Sequence, residues 1–73
     1  MNKQILTYLL LAGFILGVRG GKVALWRDQD PRPVQIYDIR VDSLPPADRL
    51  ELGRGIRAES REEVWQLLEN YLP

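Results

Sequence analysis

The sequence contains no cysteine and no histidine among its 73 residues. No disulfide can therefore stabilise the fold, and the missing cysteines remove the argument for an oxidising compartment without identifying another one. The chain also has no Ser-His-Asp or Cys-His site, and it lacks the usual nitrogen and sulfur ligands of zinc. We therefore predict a protein that is not an enzyme, with no catalytic residues, no cofactor, no metal site and no small-molecule substrate.

A continuous basic face is also missing. The formal net charge is zero, from ten basic and ten acidic side chains. Four basic residues precede the first acid, Asp28, and the later basic residues are interleaved with acids. Nucleic-acid-binding domains usually carry a basic patch with aromatic residues among it. We therefore expect no nucleic-acid partner.

The longest uncharged stretch is short and lies near the N-terminus. It runs from Gln4 to Val18 and follows Lys3, which resembles the basic and apolar regions of a secretory signal. Cleavage after Ala12 would leave Leu10 where a small residue is preferred, so we expect an uncleaved signal-anchor over residues 1–13. The alternatives are a cleaved signal and a buried element of a soluble fold, and the flanking basic residues do not fix an orientation.

The remainder, residues 14–73, is predicted to form one small α+β domain. Gly20-Gly21 is a two-residue turn signal, which predicts a hairpin of strands 14–19 and 22–27. A third strand is predicted over 33–41, after a polar turn. Together they predict a three-stranded antiparallel sheet.

The apolar residues of the third strand change parity along its length. Val34 and Ile36 share one parity, whereas Ile39 and Val41 share the other. One extra residue between the two pairs, a β-bulge, would bring both onto the core face. We favour the bulge over a strand covered on both faces, because so short a chain has little with which to cover a second face.

Two helices are predicted to cover one face of the sheet, which gives the order β-β-β-α-α. The first spans 46–54 and ends at Gly55, with Ile56 folding back on Leu50. The second spans 60–71 and begins with a capping box formed by Ser60 and Glu63. The predicted core is Val23, Leu25, Ile39, Leu50, Ile56, Leu67 and Leu68.

Three aromatic residues are candidates for contact with a partner: Trp26, Tyr37 and Trp65. In the second helix, Val64, Leu67, Leu68 and Tyr71 form one apolar face, which Trp65 and Leu72 widen. This pattern is typical of a helix that faces the core. A recognition helix for a partner is the sharper interpretation, and it depends on whether Trp65 is exposed.

Short motifs distributed over most of the chain after residue 13 resemble the C-terminal domain of the bypass-of-forespore C family. They are G-K-V-A at 21–24, Y-D-I at 37–39, S-L-P at 43–45, D-R at 48–49 and G-I at 55–56, followed by an acidic final helix. The family's named member is a secreted forespore protein that restrains a signalling protease during sporulation, and it has an additional N-terminal domain. The resemblance implies the same domain fold and offers no catalytic residues.

Two functions are therefore predicted as alternatives. The first is a membrane-anchored or secreted domain, outside the cytoplasm, that acts by binding another protein and has a regulatory role in the cell envelope or in sporulation. The second is a soluble cytoplasmic domain whose N-terminal segment is core and which dimerises through an edge of its sheet.

Overall fold

The computed structural model describes residues 13–72, and its first element is the predicted hairpin. Strand β1 (Phe14–Arg19) pairs with β2 (Lys22–Arg27) in an uninterrupted antiparallel register. Gly20 and Gly21 both have positive φ, of 60° and 77°, which the tight turns of two-residue hairpins require and which glycine adopts readily. The glycine pair thus fixes the turn and, through it, the register of the two strands.

Within residues 13–72 the sheet has four strands rather than the predicted three. The later elements are β3 (Pro33–Arg40), a 3₁₀ turn (Val41–Ser43), α1 (Pro46–Arg54), β4 (Ile56–Ala58) and α2 (Arg61–Glu69). The strand order is β3-β2-β1-β4, so β4 extends the sheet beyond β1. A three-residue strand has too short an alternation to be recognised in a sequence, which is why β4 was missed.

The core lies between the two helices and one face of this sheet. Leu16 is opposite Leu25 in the β1–β2 register, and facing residues of paired strands share a face. Both residues belong to a cluster in which α1 contributes Leu52 and α2 contributes Val64 and Leu68. In the described part of the chain the buried cluster comprises Phe14, Leu16, Val23, Leu25, Leu52, Ala58, Val64, Leu68 and Tyr71. We call this side of the sheet the core face.

The opposite side, which we call the second face, is also apolar. Ile15 lies opposite Trp26, and Gly17 lies opposite Ala24. The Trp26 ring lies against Gly17, where an added Cβ would be 3.1 Å from ring atom Cζ3. Ile36 of β3 lies opposite Ala24 and continues this surface.

Strand β3 contains the predicted irregularity, but the prediction of which side chains it turns toward the core was wrong. From Ile36 to Arg40 the strand takes four steps, while β2 takes two from Ala24 to Lys22, so two extra residues are accommodated. A second irregularity lies between Gln35 and Pro33, where β3 takes two steps and β2 takes one. Two extra residues leave the alternation unchanged, whereas one would have reversed it. Ile39 therefore packs against the core, while Val34 and Ile36 are 43% and 49% exposed.

Helix α1 uses a different leucine from the one predicted. Leu50 is 57% exposed, whereas Leu52 is 1% exposed. The predicted stop is present, since Gly55 has a φ of 88° and its N–H donates to the carbonyls of Glu51 and Leu52. Ile56, however, continues into β4 and lies opposite Leu16 instead of folding back on Leu50.

Helix α2 begins with the predicted capping interaction. The Glu63 N–H donates to Oγ of Ser60 over 3.1 Å, and Oε2 of Glu63 accepts from the N–H of Glu59 over 3.0 Å. Of the predicted core residues, Val23, Leu25 and Leu68 are buried. The half-buried members Ile39, Ile56 and Leu67 pack against the core from its margin.

The predicted signal-anchor covers residues 1–13, of which 1–12 lie outside the described residues. Within the described range 13–72, no helix is long and apolar enough to cross a bilayer.

Candidate protein-interaction site

Trp65 is the most exposed large apolar side chain among residues 13–72. It lies on α2 and is 61% exposed, although Val64 and Leu68 on either side of it in sequence are buried. Leu72, just after the helix, is 51% exposed. The expectation that Trp65 and Leu72 widen the core-facing side of α2 was therefore wrong.

Arg61 lies one helical turn before Trp65, so the two residues share a side of α2. Its guanidinium carbon lies 5.3 Å from the centroid of the Phe14 ring. The guanidinium carbon of Arg27 lies 5.6 Å from the same centroid, so two cations approach one aromatic ring. Phe14 is itself buried in the core, so the exposed Arg61 makes this contact at the margin of the core.

An open cleft of about 510 Å³ lies at the other end of α2. Ile39 from β3 and Leu44 and Pro45 from the following loop form one side, and Tyr71 and Leu72 form another. Leu72 thus lines the cleft and is also one of the exposed apolar side chains. We name the surface formed by Arg61, Trp65 and Leu72 the α2 flank.

The other two aromatic candidates are placed differently. Tyr37 of β3 is half-buried and packs against the core, and burial raises the pKa of its phenol despite the opposing effect of Arg61. Trp26 is half-buried on the second face, against Gly17. The structure thus leaves Trp65 as the candidate whose ring is mostly open to a partner. Arg61 and Leu72 were not predicted as site residues; Arg61 precedes Trp65 by one turn of α2, and Leu72 follows the end of the helix at Glu69.

A second cleft, of about 560 Å³, lies beside the hairpin turn and is lined by Lys22, Arg40, Asp42 and Arg49 among others. Arg40 donates to Asp42 over 2.9 Å, and Lys22 lies 3.2 Å from Asp38. These pairs are exposed and contribute little to stability. Among residues 13–72, no group of three or more acidic, cysteine or histidine side chains is placed to hold a metal ion.

Stability is expected to fall above about pH 10 because of Tyr71. The pKa of this phenol is raised, first by burial and then by the carboxylates of Asp48 and Glu51. Below pH 10 both the folded and the unfolded phenol keep the proton, so the group adds no pH dependence. Above it the unfolded state loses the proton first and becomes relatively more stable.

The Tyr71→Phe variant isolates this effect, because lysine and arginine titration is common to both proteins. Urea unfolding between pH 8 and about 11.5 should show a shallower alkaline decline in the variant than in the parent. If the free energy of unfolding declines identically in both proteins, Tyr71 does not contribute to the loss of stability at alkaline pH.

Comparison of the chain with protein-family models, with curated proteins and with solved structures gives no match.

Proposed function

We propose that this chain is a non-enzymatic, membrane-anchored domain that acts by binding another protein through the α2 flank. The observation that carries this proposal is the 61% exposure of Trp65 on a helix whose other face is buried. Tryptophan and arginine are enriched at the energetic centres of protein interfaces, and they occur here one helical turn apart. The cleft lined by Leu72 offers an apolar side chain of the partner a place between β3 and the residues that follow α2.

The membrane part of the proposal rests on the sequence. The uncharged run from Gln4 to Val18 follows Lys3, as in a signal-anchor. With the domain outside the cytoplasm, its partner would be an envelope protein. The resemblance to the bypass-of-forespore C family extends the proposal to regulation in the cell envelope or in sporulation.

Site-specific photocrosslinking tests the α2 flank. A photoreactive phenylalanine analogue is placed at position 65 of the full-length chain, and in a matched control at the neighbouring exposed residue Gln66. In native membranes, position 65 should give a discrete adduct that position 66 does not give. An excess of the unlabelled parent should compete it away, and an excess of the Trp65→Ala variant should not.

Trp65→Ala is a valid competitor because the ring that it removes is mostly exposed, so the variant should fold as the parent does. Its melting temperature should match that of the parent. Equal adducts from positions 65 and 66, or equal competition by Trp65→Ala, would remove the α2 flank from the proposal.

A second candidate function is a soluble domain in which the N-terminal segment completes the core. The observation that favours it is the second face, where Val34 and Ile36 are about half exposed beside the half-buried Trp26. An apolar segment of the same chain would cover these side chains. The two candidates differ in what residues 1–12 do, so deletion of that segment separates them.

A further inference from the structure

We propose that the second face of the sheet lies on the bilayer surface and that anionic lipid headgroups hold it there. The inference rests on the membrane-anchored function proposed above and specifies how the domain is oriented once the anchor is inserted. It deepens that function, because an anchored domain can also project away from the bilayer. The α2 flank lies on the other side of the sheet and takes no part in this contact.

The second face carries an apolar patch that the described residues leave partly uncovered. Ile15 and Trp26 are half-buried there, with the Trp26 ring against Gly17. Ile36, which lies opposite Ala24, is 49% exposed. The buried residues of both helices belong to the core on the opposite side of the sheet. Exposed apolar patches with a polar rim mark contacts with proteins or membranes.

Basic residues on the second face outnumber the acidic residues that contact them. Arg19 lies opposite Lys22, and Lys22 lies opposite Arg40, so the three share one side of the sheet. Arg57 lies opposite Ile15 on the same side. Three carboxylates contact these four basic residues: Asp28 with Arg57, Asp38 with Lys22 and Asp42 with Arg40. Among residues 13–72 the exposed Arg19 forms no ion pair, which leaves its charge available to a headgroup.

The helix side of the domain has the opposite charge. Between Glu59 and Glu69, a stretch that includes α2, four glutamates accompany a single basic residue, Arg61. Helix α1 is neutral, with two acidic and two basic residues. An anionic bilayer therefore attracts the second face and repels the side of α2. Charge complementarity thus selects the second face as the side that meets the bilayer.

The point at which the N-terminal segment joins the fold places the second face close to the bilayer. The Asp28 N–H donates to the Gly13 carbonyl over 2.9 Å, so strand pairing begins directly after residue 12. An inserted anchor is therefore followed by a paired strand and not by a flexible linker. Ile15 is the first residue of β1 on the second face, and Trp26 lies opposite it. Tryptophan is enriched at the boundary between lipid and water, where this geometry places Trp26.

The basic residues extend the contact along the hairpin. Arg19 is four residues beyond Ile15, so it lies about 13 Å further along β1. With the strands along the bilayer surface, Arg19 and Lys22 reach headgroups while Ile15 and Trp26 contact the apolar boundary. Long basic side chains suit this position, because their stems cover apolar surface and their charges stay among the headgroups.

Spin labels on opposite sides of the domain test this orientation, since the parent has no cysteine. The full-length chain is labelled through Ile36→Cys on the second face or, as the matched control, through Leu50→Cys on α1. The replaced residues are similarly exposed, at 49% and 57%. In vesicles that contain phosphatidylglycerol, the label at position 36 should be more accessible to oxygen, which concentrates in lipid, than to a water-soluble nickel complex. The label at position 50 should show the opposite preference.

Lipid charge and two charge reversals test whether the basic residues hold the face in place. Arg19→Glu changes an exposed residue of the second face, and Arg54→Glu makes the same change at the end of α1. Arg19→Glu should lower the protection of the label at position 36 from the nickel complex, whereas Arg54→Glu should leave it unchanged. Protection should also fall in purely zwitterionic vesicles and at high salt, which screens exposed charges.

Four results would overturn the proposal. Three of them are equal access of the nickel complex to both labels, protection that is unchanged in zwitterionic vesicles, and an effect of Arg19→Glu no larger than that of Arg54→Glu. The fourth is a label at position 36 that is equally protected in detergent-free buffer without vesicles, which would show that residues 1–12 or a second copy cover the face.

Sedimentation of the same samples with vesicles measures the anchor separately. Protein that sediments with the vesicles but fails the label test retains the membrane-anchored function and loses this inference. Protein that stays in the supernatant contradicts both.

Discussion

Replacing Leu68 by alanine is expected to lower the free energy of unfolding by about 2–5 kcal/mol. Leu68 is 2% exposed and lies in the cluster that joins α2 to the sheet. The truncation removes buried apolar atoms and leaves a cavity that the surrounding side chains fill only partly. In a domain of this size such a loss is a large part of the total stability.

Leu50→Ala provides the matched control. It makes the same chemical change in a helix, at a residue that is 57% exposed. We expect its effect to stay within about 0.5 kcal/mol, as for most surface substitutions. Urea unfolding followed by tryptophan fluorescence measures both variants, with Trp26 on the sheet as a reporter. A loss below about 1 kcal/mol for Leu68→Ala would show that α2 does not pack as a core helix.

The contrast between Leu50 and Leu52 shows where sequence reasoning reached its limit. Periodicity indicated an apolar helix over 46–54, and its ends are confirmed. The prediction placed Leu50 in the core, whereas the buried residue is Leu52, two positions on and on nearly the opposite side of the helix. The choice is made by β4, because pairing of Ile56 with Leu16 fixes how α1 meets β1. That pairing joins residues distant in sequence and is not encoded in the local pattern.

The same limit applies to β3. The change of parity between Val34 and Ile39 correctly indicated an irregular strand. The number of extra residues depends on how β3 fits against β2, and a count of two rather than one decides which pair faces the core. Among the described residues β3 is an edge strand, because β4 pairs with β1 and not with β3.

The candidate site was partly predictable. Trp65 was identified as a candidate because a tryptophan next to an apolar helix face is either core or interface. Its exposure is set by how α2 rolls on the sheet, with Val64, Leu68 and Tyr71 inward. Arg27 and Arg61 approach Phe14 from β2 and α2, while Phe14 itself lies in β1. Because the three residues come from three different elements, no local sequence motif predicts this contact.

Deleting residues 1–12 is expected to move the protein from the membrane fraction to the soluble fraction without unfolding it. The reason is that, among the described residues alone, nine buried side chains already form a cluster between the sheet and the helices. Its largest fully buried side chains, Leu16, Leu52 and Leu68, are each no more than 2% exposed. This core should remain when the segment is removed, and circular dichroism of the truncated chain measures whether it does.

Leu10→Arg provides a control that keeps the full length of the chain. A charge in the middle of the uncharged run from Gln4 to Val18 opposes insertion into a bilayer. We expect this variant to follow the deletion into the soluble fraction, whereas Leu10→Ile should stay with the parent. The four proteins are compared by fractionation of the same cells.

The length of the segment sets the strength of the expected attachment. Fifteen residues, if helical, reach about 22 Å, which is less than the hydrocarbon thickness of about 30 Å. Six of them, Gly13 to Val18, belong to the described fold, and five of those lie in β1. The parent should therefore be extracted from membranes more easily than a protein with a full-length span, because a short segment needs local thinning of the bilayer. If instead the parent is found in the cytosol and the truncated chain unfolds, residues 1–12 are core. The membrane-anchored function is then wrong, and the second face of the sheet is the surface that they cover.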